Sequence, residues 1–283
     1  MRAVRNGATG AVMLVLTLAT TATAADKKEF KYTVGPGATV TVVNEFGPVT
    51  VKGASGRQVV IVATMHSDKV QVNSSQAGNR VVARTYAPQR TSEEEGRVEY
   101  EVLVPQDASV TVRSATGPIR AERLRGDVML EGDAATVEVR EVSNAHVHVR
   151  TVNGPITLTN ISKGHVEITS VGGNVQLTSV SGPKVTVNTT KGTIHYSGNF
   201  GDGGDYLLNN HSGDIEVLLP TTASVDITAQ SIKGSVEQDF PLREKQHTSF
   251  VPSPGRSFAG TLHDGASSVR LRSFSGKIRV KKQ

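Results

Sequence analysis

The sequence predicts an all-β protein built as a parallel β-solenoid, with two short strands in each coil of about 19 residues. A glycine-led phrase recurs along the chain, in which two apolar residues flank one polar residue, as in Gly154-Pro-Ile156-Thr-Leu158. These apolar pairs return at nearly constant steps. Helical periodicity is absent after the first 24 residues, whereas the alternation within each phrase is that of a strand.

The first apolar residues of the pairs form two interleaved series. Steps of 18 to 21 residues separate the members of one series, which are Ile119, Val137, Ile156, Val175, Ile194, Ile215 and Val236. Steps of 19 residues separate the members of the other, which are Val128, Val147, Val166 and Val185. Parallel stacking in register places the first series in one interior column. It forms a second column from Ala121, Val139, Leu158, Leu177, Tyr196 and Val217.

The chain divides into three parts. Residues 1–24 have the pattern of a secretory signal peptide: Arg2 and Arg5, an apolar run over 11–19, and a small-residue signal that predicts cleavage near Ala24. We therefore expect a periplasmic or extracellular protein. Residues 25–104 form a β-rich region with longer, less regular strands, continuous with the solenoid, and residues 105–283 form the solenoid with C-terminal capping strands. An antiparallel β-sandwich stays open as the alternative, chiefly for residues 28–104.

Composition narrows the function classes. The chain has no cysteine, which excludes disulfides, thiolate metal sites, catalytic thiols and a lipoprotein acylation site. Without the predicted signal peptide the charge is 31 − 2 − 26 = +3, too mild to indicate nucleic-acid binding. No other apolar run is long enough for a transmembrane segment. We predict no cofactor, and the oligomeric state does not follow from the sequence.

Stacked coils also align outward side chains into ladders. His146, His165 and Lys184 share one register, and two neighbouring imidazoles are a candidate transition-metal site. Because a third ligand is missing, we expect an exposed polar ladder instead. The stretch from Gly201 to Asp205 resembles one calcium-binding β-roll turn, but such sites need consecutive copies, so we expect a flexible turn.

Two further groups are candidate surface sites. Asn209, Asn210, His211 and Asp214 are the densest cluster of possible acid and base groups, and Asp205 with Asp214 would supply the carboxylate pair of a polysaccharide-acting enzyme whose site includes His211. Basic residues near the C-terminus, including Arg270 and Arg279, predict a like-charged end cap that discourages end-to-end stacking. The alternative is that they attract anionic envelope polymers or lipid headgroups.

Four phrases carry a family resemblance: Asn44-Glu-Phe-Gly-Pro-Val-Thr-Val51, Val102-Leu-Val-Pro105, Thr151-Val-Asn-Gly-Pro-Ile-Thr-Leu158 and Ser212-Gly-Asp-Ile-Glu-Val-Leu-Leu-Pro220. With them the chain resembles a bacterial family of exported β-strand-repeat proteins, candidate adhesins of unknown molecular function. The resemblance extends over roughly residues 30–283. It implies a right-handed parallel β-solenoid outside the cytoplasm, without known catalytic residues.

We therefore expect an exported, non-enzymatic β-solenoid that binds or scaffolds a component of the cell envelope through its outward polar ladders. The component is an envelope polymer, a glycan or a surface protein. Two alternatives stay open, namely a polysaccharide-acting β-helix enzyme and the exported module of an envelope-stress sensing system.

Overall fold

The computed structural model describes residues 26–201, 203–244 and 252–283, and all regular elements within them are β-strands. The predicted signal peptide, residues 1–24, lies outside the described residues. No helix in the described ranges is long and apolar enough to cross a membrane. The strands are β1 Asp26–Thr33, β2 Thr39–Asn44, β3 Val49–Ala54, β4 Gln58–Met65, β5 Gln71–Ala77, β6 Arg80–Tyr86, β7 Val98–Pro105, β8 Ser109–Thr116, β9 Ile119–Glu122, β10 Val128–Ala134, β11 Val137–Ser143, β12 Val147–Thr151, β13 Ile156–Ser162, β14 His165–Ser170, β15 Val175–Val180, β16 Lys184–Thr189, β17 Ile194–Ser197, β18 Asp205–Asn210, β19 Ile215–Leu219, β20 Val225–Ser231, β21 Val236–Gln238, β22 Arg243–Glu244, β23 Ser257–Leu262, β24 Ser267–Ser273 and β25 Ile278–Lys282.

The strands form two large sheets that face each other across one core. Sheet A has the order β1-β4-β7-β3-β9-β11-β13-β15-β17-β19-β25-β21, and sheet B has the order β22-β23-β20-β24-β18-β16-β14-β12-β10-β8-β2-β6-β5. Within the described chain, ten consecutive strands of each sheet pair in parallel. Each coil contributes one strand to each sheet. Nine steps of one strand spacing give a stack roughly 40–45 Å long.

The regular region confirms the predicted solenoid and its register. Ile156 pairs with Val137 on one side and with Val175 on the other, and Leu158 pairs likewise with Val139 and Leu177. Both predicted columns are buried from Ile119 to Val217. Because the pairing is parallel throughout this region, the antiparallel sandwich is excluded there.

The N-terminal region joins the same two sheets with a different strand order. Strand β2 lies between β6 and β8, and β3 lies between β7 and β9, all in parallel. The first coil of the chain is therefore the second parallel coil of the stack. Among the described N-terminal strands, antiparallel pairing occurs only at the outer end of the stack. There β4 pairs with both β1 and β7, and β5 pairs with β6.

The C-terminal strands mirror this arrangement, which corrects the expectation that they cap the solenoid. Strand β24 is inserted between β18 and β20, and β25 is inserted between β19 and β21. Ile278 consequently separates Ile215 from Val236 in the interior column, where the sequence steps had placed those two side by side. The end of the stack is formed instead by β20 and β21, with β23 and β22 added in antiparallel pairing.

A column of glycines fixes how closely successive coils approach. Gly154, Gly173, Gly192 and Gly213 follow one another at the same corner, between a sheet B strand and a sheet A strand. A Cβ atom on Gly173 would lie less than 3 Å from the carbonyl oxygen of Gly154, and one on Gly213 would clash in the same way with Gly192. The stacked corners therefore leave no space for a side chain.

A buried polar side chain stands three residues before each glycine of this corner. The polar column consists of Asn44, Ser114, Thr151, Ser170, Thr189, Asn210, Ser273 and Ser231 in spatial order. The backbone N–H of Gly173 donates to Ser170 Oγ at 3.1 Å, and that of Gly276 donates to Ser273 Oγ at 2.8 Å. These side chains satisfy backbone groups that a tight buried turn would otherwise leave without partners.

One coil departs from this pattern at both positions. Gly132 takes the place in the polar column between Ser114 and Thr151, and Ala135 takes the place of the corner glycine. A Cβ atom on Gly132 would lie 2.6 Å from the Ala135 methyl group. The methyl of Ala135 thus occupies the space that a polar side chain fills in the other coils.

We expect Asn210→Ala to lower the free energy of unfolding by about 1–3 kcal/mol, because buried backbone groups lose their partners. Asn210 accepts from Gly213 N–H at 2.9 Å and donates to the Gly192 carbonyl at 2.6 Å. Asn210→Ser should cost clearly less, since serine serves at this position in neighbouring coils. Urea unfolding measures both variants, and equal losses would contradict the role assigned to the polar column.

Gly132 and Ala135 form a testable exchange. Gly132→Ser should destabilise the protein by about 1–3 kcal/mol through its clash with Ala135. Ala135→Gly should also destabilise it, because it leaves a void. The double variant rebuilds the Ser-x-x-Gly corner of the other coils, so we expect a favourable coupling of about 1–2 kcal/mol in a double-mutant cycle by urea unfolding. Simple additivity of the two single effects would refute this account.

Candidate functional site

The outward face of sheet A neutralises its own charges. Successive coils pair Arg120 with Glu138 at 3.0 Å, and Glu216 lies between His195 at 3.3 Å and Lys281 at 3.1 Å. Lys281 lowers the pKa of Glu216 most, and His195 acts in the same direction. This face consequently offers little unbalanced charge to a ligand.

The predicted histidine ladder is present on the outward face of sheet B. The rings of His146 and His165 stack with centroids 4.8 Å apart and 12° between their planes. Lys184 follows His165 in register, and His148 Nδ1 lies 3.6 Å from Glu167. Stacked rings direct their nitrogens sideways and do not converge on one ion. Within the described residues, no group of three or more histidine or acidic side chains is placed to hold a metal.

The candidate acid and base groups are not brought together. Asp205 begins a strand of sheet B and pairs with Arg270 through contacts of 2.9 and 2.7 Å. Asp214 precedes a strand of sheet A, where it pairs with Arg279 at 3.1 Å. His211 stacks instead on Phe274, with ring centroids 4.9 Å apart. The two carboxylates therefore each bind a separate arginine.

The Gly/Asp turn before Asp205, for which the sequence predicts a flexible turn, contains residue 202, which lies outside the described residues. The additional residues of this coil enclose an aromatic cluster. Phe200 stacks on Tyr196 at 4.3 Å and meets Tyr206 edge-on at 4.6 Å, and all three are buried. Burial raises the pKa of Tyr196 far above its usual value, so it stays a neutral hydrogen-bond donor, here to the Val180 carbonyl at 2.8 Å.

The C-terminal cations do not form the like-charged end cap that the sequence indicated. Their strands lie inside the stack, and most of these cations have acidic partners there. Arg270 and Arg279 bind Asp205 and Asp214, and Lys277 binds Glu237 at 2.5 Å. Arg272 differs from them, because it is exposed and makes no ion pair with a described residue.

Arg272 lies in a shallow groove of about 780 Å³ on sheet B, which we call the sheet B groove. The groove crosses five strands, β14, β16, β18, β24 and β20. Its floor is a row of side chains in one register, the groove ladder: Thr169, Asn188, Asn209, Arg272 and Gln230. Asn209 donates to Asn188 Oδ1 at 3.3 Å, so each amide retains further donors and acceptors for a ligand.

The wall of the groove is a second row along the solenoid corner. This corner ladder consists of Val171, Thr190, His211, Phe274 and Ile232. It is unusually apolar for an exposed surface, since Val171 is 46% and Ile232 is 56% exposed. Lys233 Nζ lies 4.7 Å from the centroid of the Phe274 ring, which adds positive charge beside the wall.

Sequence reasoning placed Asn209, His211, Arg270 and Arg272 in two separate clusters, but it missed the groove residues Asn188 and Phe274. The pairing of Asn188 with Asn209 follows from the 21-residue step of this coil. The contact between Asn209 and Arg272 does not follow from any step, because it depends on the insertion of β24. The signal in the sequence that could have indicated the groove is the series of uncharged polar residues at outward positions beside the buried apolar pairs.

The fold and the groove define a β-solenoid with one open, polar outward face. The sequence matches the Toastrack family, DUF4097, over residues 38–281, and the chain belongs to this family. This match confirms the family resemblance of the motifs. No curated protein matches the sequence.

Three solved structures are similar to this chain at low sequence identity, and one of them has a TM-score above 0.5. A candidate adhesin from Bacteroides fragilis is 10% identical, with 91% of this chain and 97% of that chain covered and a TM-score of 0.51. A candidate adhesin from Parabacteroides merdae is 11% identical, with 91% and 96% covered and a TM-score of 0.39. A candidate cell adhesion protein from Clostridium sporogenes is 11% identical, with 91% and 100% covered and a TM-score of 0.31. The protein is a β-solenoid of the Toastrack family, and the likeness to the Bacteroides fragilis structure supports this fold.

The Glu216 pairs predict a small pH dependence of stability. Because its pKa is lowered in the folded state, its contribution is present above the unfolded pKa of about 4.3 and is lost as pH falls through the folded pKa. Glu216→Gln should cost less than about 1 kcal/mol at pH 7, since the pair is partly exposed. The cost should be smaller at pH 3 than at pH 7, because the contribution falls away below the unfolded pKa.

Chemical unfolding at both pH values provides the measurement. Glu141→Gln is the matched control, because Glu141 is exposed and has no ion-pair partner in the part of the chain that the structure describes. A Glu216→Gln cost that persists unchanged at pH 3 would show that the carboxylate charge is not responsible.

Proposed function

We propose that this chain is an exported, non-enzymatic binding module that holds a component of the cell envelope in the sheet B groove. The observation that carries the proposal is an unpaired arginine in a groove that no acidic side chain of the described residues lines. Along the parallel strands of sheet A, Arg120, Arg279 and Lys281 pair with carboxylates, whereas the groove exposes Arg272 without an ionic partner among the described residues. A long, open groove of this kind suits an extended ligand better than a small molecule.

Family membership and the likeness to candidate adhesins support a binding role. The wall of the groove adds a physical reason, because Val171, Phe274 and Ile232 form an apolar strip next to polar groups. Contiguous exposed apolar surface that borders polar groups is typical of interaction sites. Binding along a rigid stack also needs little ordering of the protein, which favours affinity.

The enzyme alternative has less support. Asp205 and Asp214 each bind a separate arginine, and His211 packs face to face on Phe274. A glycoside hydrolase of the common type needs two carboxyl groups that face one bond. The arrangement of these residues favours structural pairing, and a binding role needs no such constellation.

We expect the purified protein to bind cell-envelope fragments of the bacterium that encodes it, and Arg272→Ala to weaken this binding at least about fivefold, as for loss of a charge-assisted hydrogen bond. A sedimentation assay with washed fragments provides the measurement. Arg84→Ala is the matched control. Arg84 is exposed on the same sheet and lies five strands away from the groove, and its substitution removes the same charge.

Equal losses for the two variants would assign binding to net charge rather than to the groove. Absence of sedimentation with any fragment fraction would overturn the proposal itself. Both arginines lie on the surface, so we expect neither substitution to change the unfolding temperature. Thermal unfolding of both variants verifies this.

A further inference from the structure

The sheet B groove has a positive electrostatic character that the protein does not balance. Its lining includes Arg270 and Arg272, and it includes no aspartate or glutamate among the described residues. Arg270 is held by Asp205, so its charge is largely compensated. Arg272 is free to engage a ligand, and Lys233 stands beside the wall. The groove therefore complements an anionic ligand with a low density of charge.

The groove ladder presents one polar group at every strand spacing. Thr169, Asn188, Asn209, Arg272 and Gln230 follow each other in register, at steps of about 4.8 Å. A sugar ring in an extended polysaccharide has nearly this length. A glycan chain laid parallel to the stacking axis would thus meet one ladder residue with each ring, and the five strands accommodate about four rings.

The groove ladder is polar and the corner ladder is largely apolar, which matches the polar hydroxyl groups and the apolar C–H faces of a sugar ring. Amides and hydroxyls of the groove ladder form hydrogen bonds to ring hydroxyls in both directions. Val171, His211 and Ile232 of the corner ladder offer apolar contact to the C–H faces of the same rings. A planar guanidinium binds a carboxylate in bidentate fashion, which suits Arg272 to a uronic acid unit.

We propose that the ligand of the sheet B groove is an acidic polysaccharide whose chain runs along the stacking axis, with a sugar carboxylate bound by Arg272. This inference rests on the proposed function and names the chemical class of its ligand. Nucleic acids carry a phosphate on every unit and would need more free cations than the single unpaired arginine of the groove ladder supplies. Neutral glycans would leave that arginine without a partner.

The test measures binding of purified protein to three acidic polymers, polygalacturonate, alginate and hyaluronate, by isothermal titration calorimetry. The carboxyl-reduced form of each polymer is its matched neutral ligand, because it keeps the backbone and loses the charge. We expect at least one acidic polymer to bind about tenfold more tightly than its reduced form. Double-stranded DNA and vesicles with anionic phospholipids test the other anionic surfaces.

Variants then assign the roles of single residues. Arg272→Ala should lower the affinity for the acidic polymer about tenfold, and Arg272→Lys should recover only part of it, because a lysine lacks the bidentate fork. Asn209→Ala should weaken the acidic and the reduced polymer by the same factor. Arg84→Ala should leave both affinities within about twofold, as befits a remote charge.

Several outcomes would overturn the inference. They are no binding to any of the three acidic polymers, equal binding of the reduced form, an unchanged affinity after Arg272→Ala, or stronger binding to DNA or vesicles. If envelope fragments still sediment the protein in an Arg272-dependent way while the acidic polymers fail, the inference is wrong and the proposed function stands. If the fragments fail as well, both are wrong.

Discussion

The rest of the structure depends on the absence of space at the solenoid corner. At most coils the chain turns without a side chain, because Gly173, Gly192 and Gly213 lie directly against the carbonyl oxygen of the preceding coil. Ala135 is accommodated at this corner only because Gly132 leaves space for its methyl group. A turn that tight buries its own backbone groups, which the polar column satisfies. The coil with Gly132 and Ala135 shows that the two positions act together, since one methyl group replaces one polar side chain.

This constraint explains both the success and the limit of sequence reasoning. Apolar dyads at 19-residue steps determine which residues pair, so the interior columns and the His146–His165 stack were predictable. An apolar dyad begins β19 and β25, and β21 begins with Val236 alone, but the steps between these residues do not show which strand follows Ile215 in space. Arg272 beside Asn209 depends on that choice, which is why the central residue of the candidate site could not be derived from spacing.

The two outward faces of the solenoid carry different side chains on the same repeating backbone. On both faces, each outward position of one coil lies next to the same position of the neighbouring coil. On sheet A, acidic and basic side chains alternate in these rows, as in Arg120 with Glu138 and Glu216 with Lys281. Exposed pairs of this kind contribute little stability each, yet they leave few unmatched charges. Sheet B substitutes amides, hydroxyls and one free guanidinium along the groove ladder, and it is bordered by an apolar corner. Under the proposed function, recognition on this repetitive scaffold would arise where the charge alternation stops.

The inserted C-terminal coil has a consequence for the order in which the protein is made. A ribosome delivers β20 and β21 before β24 and β25, although the later pair lies deeper in the stack. A nascent chain that simply added each coil to the previous one would place β20 against β18 and close the gap. The native arrangement is reached only when β24 and β25 are available to separate them. Synthesis of these two strands is therefore a condition for the correct assembly of the end of the stack that β20 and β21 form.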